Sequence, residues 1–243
     1  MTLVEKIKQK QADIYSSRPI TLAFLGDSVT QGCFEIYPEE PGNLNVVYDC
    51  EAVYHSRIKK IFSLLYPSLP VNIINAGISG DDALHGLARL DRDVISYNPD
   101  LTVVCFGLND SGYGKEKLKE YKDSLSEIFS KLKNAGSAVI FLKPNMIGTR
   151  VHPRINDPKI RKTAEFMCTN EKNGFMELFM SSVDKICKES GVPVCDCYAI
   201  WKAMESAGVD TTSLLSNNIN HPVRELHMMF AYELVKIMLG GTV

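Results

Sequence analysis

The chain has 243 residues, of which 45% are hydrophobic and 23% charged, and its formal net charge is −2 at pH 7. This length suits a single α/β domain with a sizeable core, and the absence of a basic excess argues against a phosphate backbone as partner, so we expect no nucleic-acid binding. No run approaches the roughly 18 apolar residues of a membrane span, so we expect no membrane insertion.

The N-terminal residues and the cysteines both favour a cytoplasmic location. Residues 1–17 carry three lysines among polar residues and lack the continuous apolar core of an export signal. The seven cysteines are scattered along the chain, and a disulfide scaffold is not expected in a protein of this length. We therefore expect reduced cysteines in a cytoplasmic protein.

Apolar runs alternate with helical periodicity along the chain. An amphipathic helix within residues 1–18 is expected to pack on the domain. Buried strands are predicted at five apolar runs, residues 22–25, 71–74, 101–106, 138–142 and 192–195. Helices are predicted between and after them, over residues 50–65, 84–90, 118–132 and 178–186, with a last one starting at Pro222. Five strands alternating with helices imply a parallel sheet covered on both faces.

Two long connections interrupt this alternation. Residues 32–47 are predicted to form a loop that borders the functional site, because they directly follow the first strand. Its aromatic residues either line a substrate cleft or only anchor the loop. Residues 144–171 form the second connection, which is interpreted equally well as a lid or as a solvated excursion.

Polar motifs stand at the ends of these elements. Gly26-Asp27-Ser28 ends the first strand, and residues 75–81, 106–110 and 218–222 contain Asn-Ala-Gly-Ile-Ser-Gly-Asp, Phe-Gly-Leu-Asn-Asp and Asn-Ile-Asn-His-Pro. Ligands of open α/β sheets bind at the carboxyl ends of strands, so a serine there is a candidate nucleophile. The residues around it do not form a Gly-x-Ser-x-Gly elbow.

These four segments, in this order, resemble the SGNH hydrolases, also called the GDSL esterase and lipase family. The resemblance covers nearly the whole chain from about residue 21. It implies a flavodoxin-like three-layer α/β/α sandwich with a five-stranded parallel sheet, and a single SGNH-hydrolase-like domain over residues 1–243.

The resemblance also implies residue roles. Ser28 is expected to be the nucleophile and His221 the general base that takes its proton. The backbone N–H groups of Ser28 and Gly80 and the side-chain amide of Asn109 are expected to form the oxyanion hole. Gly77 is the alternative to Gly80, because the same motif contains both.

His221 is preferred over the other histidines because it alone precedes a proline and a predicted helix. The others, His55, His85, His152 and His227, lack this context, and His55 is predicted to lie on the surface.

Asn218 departs from the family pattern, which has an aspartate three residues before the histidine. Three interpretations stay open. Asn218 accepts the imidazole N–H as a neutral third member, a backbone carbonyl does so and leaves a Ser-His dyad, or the site is degraded and only binds.

The sequence therefore predicts a serine esterase for small esters. A carbohydrate acetylesterase is favoured, because no long apolar stretch near the site indicates an acyl-chain tunnel. The alternatives are an acyl thioesterase or lysophospholipase of the same family, and a non-catalytic carbohydrate-binding relative. A flavin- or nucleotide-binding domain would rest on the fold alone.

The expected partner is a small-molecule ester, possibly an acetylated sugar, and the sequence does not indicate an oligomeric state. No cofactor or metal is expected, because acyl transfer through a serine requires neither. The adjacent Asp81 and Asp82 are better interpreted as helix caps than as metal ligands.

Overall fold

The computed structural model describes residues 2–39, 43–112 and 114–241. This part of the chain contains seven strands: β1 (Ile20–Gly26), β2 (Cys33–Glu39), β3 (Asn43–Tyr48), β4 (Val71–Gly77), β5 (Leu101–Cys105), β6 (Ala138–Lys143) and β7 (Val194–Asp196). Five of them form a parallel sheet in the order β4-β1-β5-β6-β7, and β2 and β3 form a separate antiparallel hairpin.

Helices cover the sheet. They are α1 (Leu3–Ala12), α2 (Ser28–Gln31), α3 (Tyr54–Leu65), α4 (Ala83–Asp93), α5 (Leu108–Gly112), α6 (Leu118–Asn134), α7 (Pro158–Lys172), α8 (Phe175–Ser190), α9 (Cys197–Ser206) and α10 (His227–Met238). α10 packs against α3 and α9, whereas α6 packs against α4 and α8. The predicted α/β sandwich with a five-stranded parallel sheet is confirmed. No helix among the described residues has both the length and the apolar character needed to cross a bilayer.

The sheet register brings three strand ends to one level. β1 is buried along its whole length, as expected for an interior strand of a sheet covered on both faces. Its last residue, Gly26, pairs with Gly77 on one side and with Cys105 on the other. The segments that follow β1, β4 and β5 therefore leave the sheet beside one another, and these segments contain Ser28, Gly80 and Asn109.

The predicted loop over residues 32–47 is wrong for most of its length. Its described residues form the β2–β3 hairpin, while residues 40–42 lie outside the described part of the chain. Pro38 argued for a loop, but a two-stranded ribbon tolerates proline because one edge of each strand needs no hydrogen-bond donor.

Two further predictions are corrected. The second half of the predicted connection over residues 144–171 is the helix α7, which Asp157 caps by accepting from the N–H groups of Lys159 and Ile160. The last helix does not start at Pro222, which forms an isolated bridge with Leu215.

His55 is not on the surface as predicted. It is buried, and its Nε2 lies 3.1 Å from the carbonyl oxygen of Thr30 in α2. The helix α3 therefore contacts the short turn that carries Ser28.

Candidate active site

Ser28 begins the one-turn helix α2 directly after β1. Asp27 caps this helix, because its Oδ1 accepts from the N–H of Val29 at 2.9 Å. Gly32 ends it in a left-handed conformation with φ of 102°. The preceding Gly26 has no room for a side chain, since a Cβ there would lie 2.7 Å from the carbonyl oxygen of Cys105. This tight turn places Ser28 at the carboxyl end of the parallel strands.

The imidazole of His221 meets that hydroxyl. Its Nε2 lies 3.0 Å from Ser28 Oγ, and both side chains are buried. Asn217 shapes the loop that carries the histidine, because its Oδ1 accepts from the backbone N–H groups of Ile219, Asn220 and His221 at 2.9–3.0 Å. Two residues far apart in the chain thus lie at the hydrogen-bond distance that a nucleophile and its base require.

A backbone carbonyl, not Asn218, holds the other ring nitrogen. His221 Nδ1 lies 3.0 Å from the carbonyl oxygen of Phe34. Asn218 has a left-handed backbone with φ of 55°, and its Nδ2 donates to the carbonyl oxygen of Leu215 at 3.0 Å. The expectation that Asn218 orients His221 is therefore corrected by this geometry, which corresponds to the dyad interpretation.

The Phe34 contact fixes the tautomer of His221. A carbonyl oxygen can only accept, so Nδ1 carries the proton and donates it to Phe34. The lone pair of Nε2 then faces Ser28 and can accept its proton. Burial lowers the pKa of His221 from its ordinary value near 6.5 to about 4, while the Phe34 carbonyl and the nearby charge of Glu35 act in the opposite direction. The imidazole is therefore neutral at neutral pH, as a base must be.

The other candidate oxyanion donors lie in the segments that follow β4 and β5, the two neighbours of β1 in the sheet. Gly80 has φ of 80°, and neither its N–H nor that of Ser28 donates to another group among the described residues. Asn109 donates one amide hydrogen of Nδ2 to the carbonyl oxygen of Asp81 at 2.8 Å, which leaves the second hydrogen of that amide for another acceptor.

Gly77 has a different environment. Its N–H already donates to Asn75 Oδ1 at 3.0 Å, and a Cβ there would lie 2.2 Å from the backbone nitrogen of Gln31. Gly77 therefore lets β4 approach α2, and Gly80 stays the better oxyanion candidate of the two.

The model of the GDSL-like Lipase/Acylhydrolase family matches residues 24–228. The chain belongs to this family. The resemblance found in the four motifs is thereby confirmed, and the matched range includes every candidate site residue named above.

Two relatives of this GDSL-like protein are esterases. An acetylxylan esterase from Geobacillus stearothermophilus is 30% identical over 132 residues, 51% of this chain and 58% of that protein. An arylesterase from Vibrio mimicus is 33% identical over 98 residues, 38% of this chain and 48% of that protein. The matched stretches thus span about half the length of these relatives.

Solved structures show the same fold. The crystal structure of an acetylxylan esterase from Geobacillus stearothermophilus has a TM-score of 0.65 to this GDSL-like chain at 23% identity, and the match covers 92% of this chain and 95% of that one. A gut microbial diltiazem-metabolizing enzyme has a TM-score of 0.67 at 22% identity, over 91% of this chain and 47% of that one.

Sequence reasoning missed Arg89, which ties the strand ends of this GDSL-like fold together. Its buried guanidinium donates to the carbonyl oxygens of Gly26 and Ala76, and to Asp81 Oδ2 at 2.7 Å. These contacts join the residue before the serine turn to the segment beside Gly80. The sequence signal for this role is an arginine on the buried face of α4. Its partners cannot be recognised from the sequence, because two of them are backbone carbonyls.

The acidic cluster beside this arginine has partners of its own. Asp81 pairs with Arg89, and Asp82 caps α4 by accepting from the N–H of His85, whose Nδ1 also lies 2.8 Å from the same carboxylate oxygen. The interpretation as a helix cap therefore holds for Asp82, whereas Asp81 pairs with Arg89 and does not cap α4.

Proposed function

We propose that this protein is a carboxylic ester hydrolase that transfers the acyl group through Ser28. The observation that carries the proposal is the 3.0 Å contact between Ser28 Oγ and His221 Nε2, with Nδ1 held by the Phe34 carbonyl. A serine hydroxyl is a weak nucleophile unless a neighbouring base takes its proton, and this arrangement supplies that base in the required tautomer. Membership of a lipase and acylhydrolase family supports the same reaction.

The geometry supports two successive acyl transfers. Ser28 Oγ bonds to the ester carbonyl carbon as its proton passes to His221 Nε2, and the carbonyl oxygen becomes an oxyanion near the donors of Ser28, Gly80 and Asn109. The intermediate then breaks its bond to the alcohol oxygen, which takes the proton from Nε2. Water repeats the sequence on the acyl-serine and releases the acid and the free serine.

Within this class we propose a carbohydrate acetylesterase. The support is the relative described as an acetylxylan esterase, at 30% identity over about half of the chain. An acyl thioesterase or lysophospholipase of the same family would use the same groups of the site, and a preference for long acyl chains would distinguish it.

A non-catalytic carbohydrate-binding protein is the second candidate, and Asn218 is the observation that favours it. Solved mutants of the Geobacillus acetylxylan esterase that are described as catalytic include replacements of a serine, of an aspartate and of a histidine three residues after that aspartate. This chain has asparagine at the corresponding spacing before His221.

A panel of esters tests both assignments. We expect turnover of p-nitrophenyl acetate and acetylated xylo-oligosaccharides, with kcat/KM for p-nitrophenyl octanoate lower by about tenfold or more, because a small pocket rejects added methylenes. A fluorophosphonate probe should also label Ser28, since labelling needs an activated serine. A preference for octanoate would overturn the acetylesterase assignment, and the absence of both turnover and labelling would support the binding protein.

The acid side of the pH profile should reflect the buried base. Because burial lowers the pKa of His221 to about 4, we expect kcat/KM to fall by half near pH 4 and not near 6.5. Asp27 lies beside the nucleophile with a pKa raised by burial to about 7, so Asp27→Asn is the variant that removes its titration. An inflection near pH 6.5 in both proteins would contradict the prediction.

The folded state must be followed at each pH by circular dichroism. The folded-state pKa of His221 lies below that of the unfolded chain, so its contribution to stability is fully present above pH 6.5 and is lost as the pH falls towards about 4. The same sign applies to the buried His227, whose pKa is lowered to about 3.

A further inference from the structure

The carbonyl that orients His221 lies at an irregular point of the β2–β3 hairpin. Cys33 pairs with Tyr48 and Ile36 with Val46, so the register shifts across Phe34 and Glu35. A bulge of this kind bends the strand and re-aims the groups within it. The ladder alone does not fix the Phe34 carbonyl, and another group has to hold this segment.

Arg224 makes that contact from the short 3-10 helix Arg224–Leu226, just after the histidine. Its guanidinium carbon lies 4.3 Å from the centre of the Phe34 ring. Nη1 and Nη2 donate to the two carboxylate oxygens of Glu35 at 2.5 and 3.0 Å, and Nε donates to Asp49 Oδ2 at 2.9 Å. One planar guanidinium therefore contacts Phe34 and Glu35 in β2 and Asp49 directly after β3.

Further contacts hold Arg224 itself. Its carbonyl oxygen accepts from Arg57 Nη2 at 2.7 Å, which connects it to α3. The ring of His227 lies 5.1 Å from that of Phe34, on the side of α10. The arginine side chain is about one-third exposed, so a single exposed ion pair would contribute little, but a bidentate pair within a network has a defined geometry.

We infer that Arg224 is a positioning residue, which clamps Phe34 and Glu35 so that the Phe34 carbonyl selects the Nδ1–H tautomer of His221 in place of a carboxylate. The expected effect on kcat rests on the proposed function. The expected effect on the tautomer of His221 does not. Glu35 and Asp49 offset the charge of Arg224. The arginine therefore acts on His221 by positioning the Phe34 carbonyl and not through its own charge. Only a residue with a planar fork can make the stacked and bidentate contacts together.

The test compares Arg224→Met and Arg224→Lys with Arg161→Met. Arg161 makes an exposed pair with Glu165 in α7 and serves as the matched control. Arg224→Met should lower kcat for p-nitrophenyl acetate by about 10²-fold, as a displaced base does, with little change in KM. Arg224→Lys should recover part of this loss, and Arg161→Met should match the parent.

NMR of protein with ¹⁵N-labelled histidine reads the tautomer directly. The His221 signals are identified by their loss in His221→Gln. We expect Nδ1–H in the parent and in Arg161→Met, and a larger share of Nε2–H in Arg224→Met. An unchanged tautomer and kcat in folded Arg224→Met would overturn the inference.

Two outcomes need separate treatment. If Arg224→Met does not fold, Glu35→Gln keeps the shape and weakens the clamp, and it should show a smaller change of tautomer in the same direction; no change would overturn the inference. If the parent shows no turnover at all, the proposed function fails, while the tautomer in the variants still decides the role of Arg224.

Discussion

Replacing Ser28 by alanine is expected to lower kcat for p-nitrophenyl acetate by about 10⁶-fold, the scale seen when a serine hydrolase loses its nucleophile. The Oγ of Ser28 contacts His221 Nε2, and no other described side chain pairs with that nitrogen. The cap from Asp27 to the N–H of Val29 does not involve the hydroxyl. The variant should therefore keep its fold while losing both turnover and fluorophosphonate labelling.

Ser137→Ala provides the matched control for this variant. Ser137 is also buried, but its hydroxyl bonds to Thr102 near the start of β5, at the opposite end of the sheet. Its kcat should stay near that of the parent. Parent-like turnover in folded Ser28→Ala would show that another residue performs the chemistry.

The central sheet could be predicted because burial on both faces leaves a simple signal. Strands β1 and β5 are largely apolar and buried along their whole length, and such runs are recognisable from composition alone. The hairpin lacks this signal, since most residues of β3 are exposed. β2 and β3 pair only with each other. Their sequences therefore lack a strong alternation of hydrophobic and polar residues that would indicate strands.

The helix α7 was missed for a related reason. Few of its residues are buried, among them Ile160 and Ala164, so its apolar stripe is weak. Asp157 followed by Pro158 is the local signal for a helix start, and it is too short to stand out without that stripe.

The candidate site divides into a part with a sequence signature and a part without one. Ser28 and His221 stand in motifs, so their partnership could be expected before the structure was known. The Phe34 carbonyl could not, because every residue carries a carbonyl and no side-chain type marks the one that accepts. The neighbouring asparagines illustrate the same limit: Asn217 organises the loop, and Asn218 turns to Leu215.

Asn109→Ala is expected to lower kcat by about 10²–10³-fold, the usual effect of removing one oxyanion-hole donor. The amide stabilises charge that develops only in the transition state, so KM should change little. Asn109→Asp keeps the shape but places a negative charge beside the oxyanion, and its kcat should be lower still.

The structural role of Asn109 has to be separated from this effect. Its Nδ2 donates to the carbonyl oxygen of Asp81, and loss of one such bond costs about 1 kcal/mol of folding free energy. Asn134→Ala, at the exposed end of α6, is a control that should leave kcat unchanged. A fall in thermal stability with unchanged kcat in both Asn109 variants would give this residue a structural role only and remove it from the oxyanion hole. A fall in kcat that is larger for aspartate than for alanine, in variants that keep the thermal stability of the parent, would place the side chain beside the developing charge.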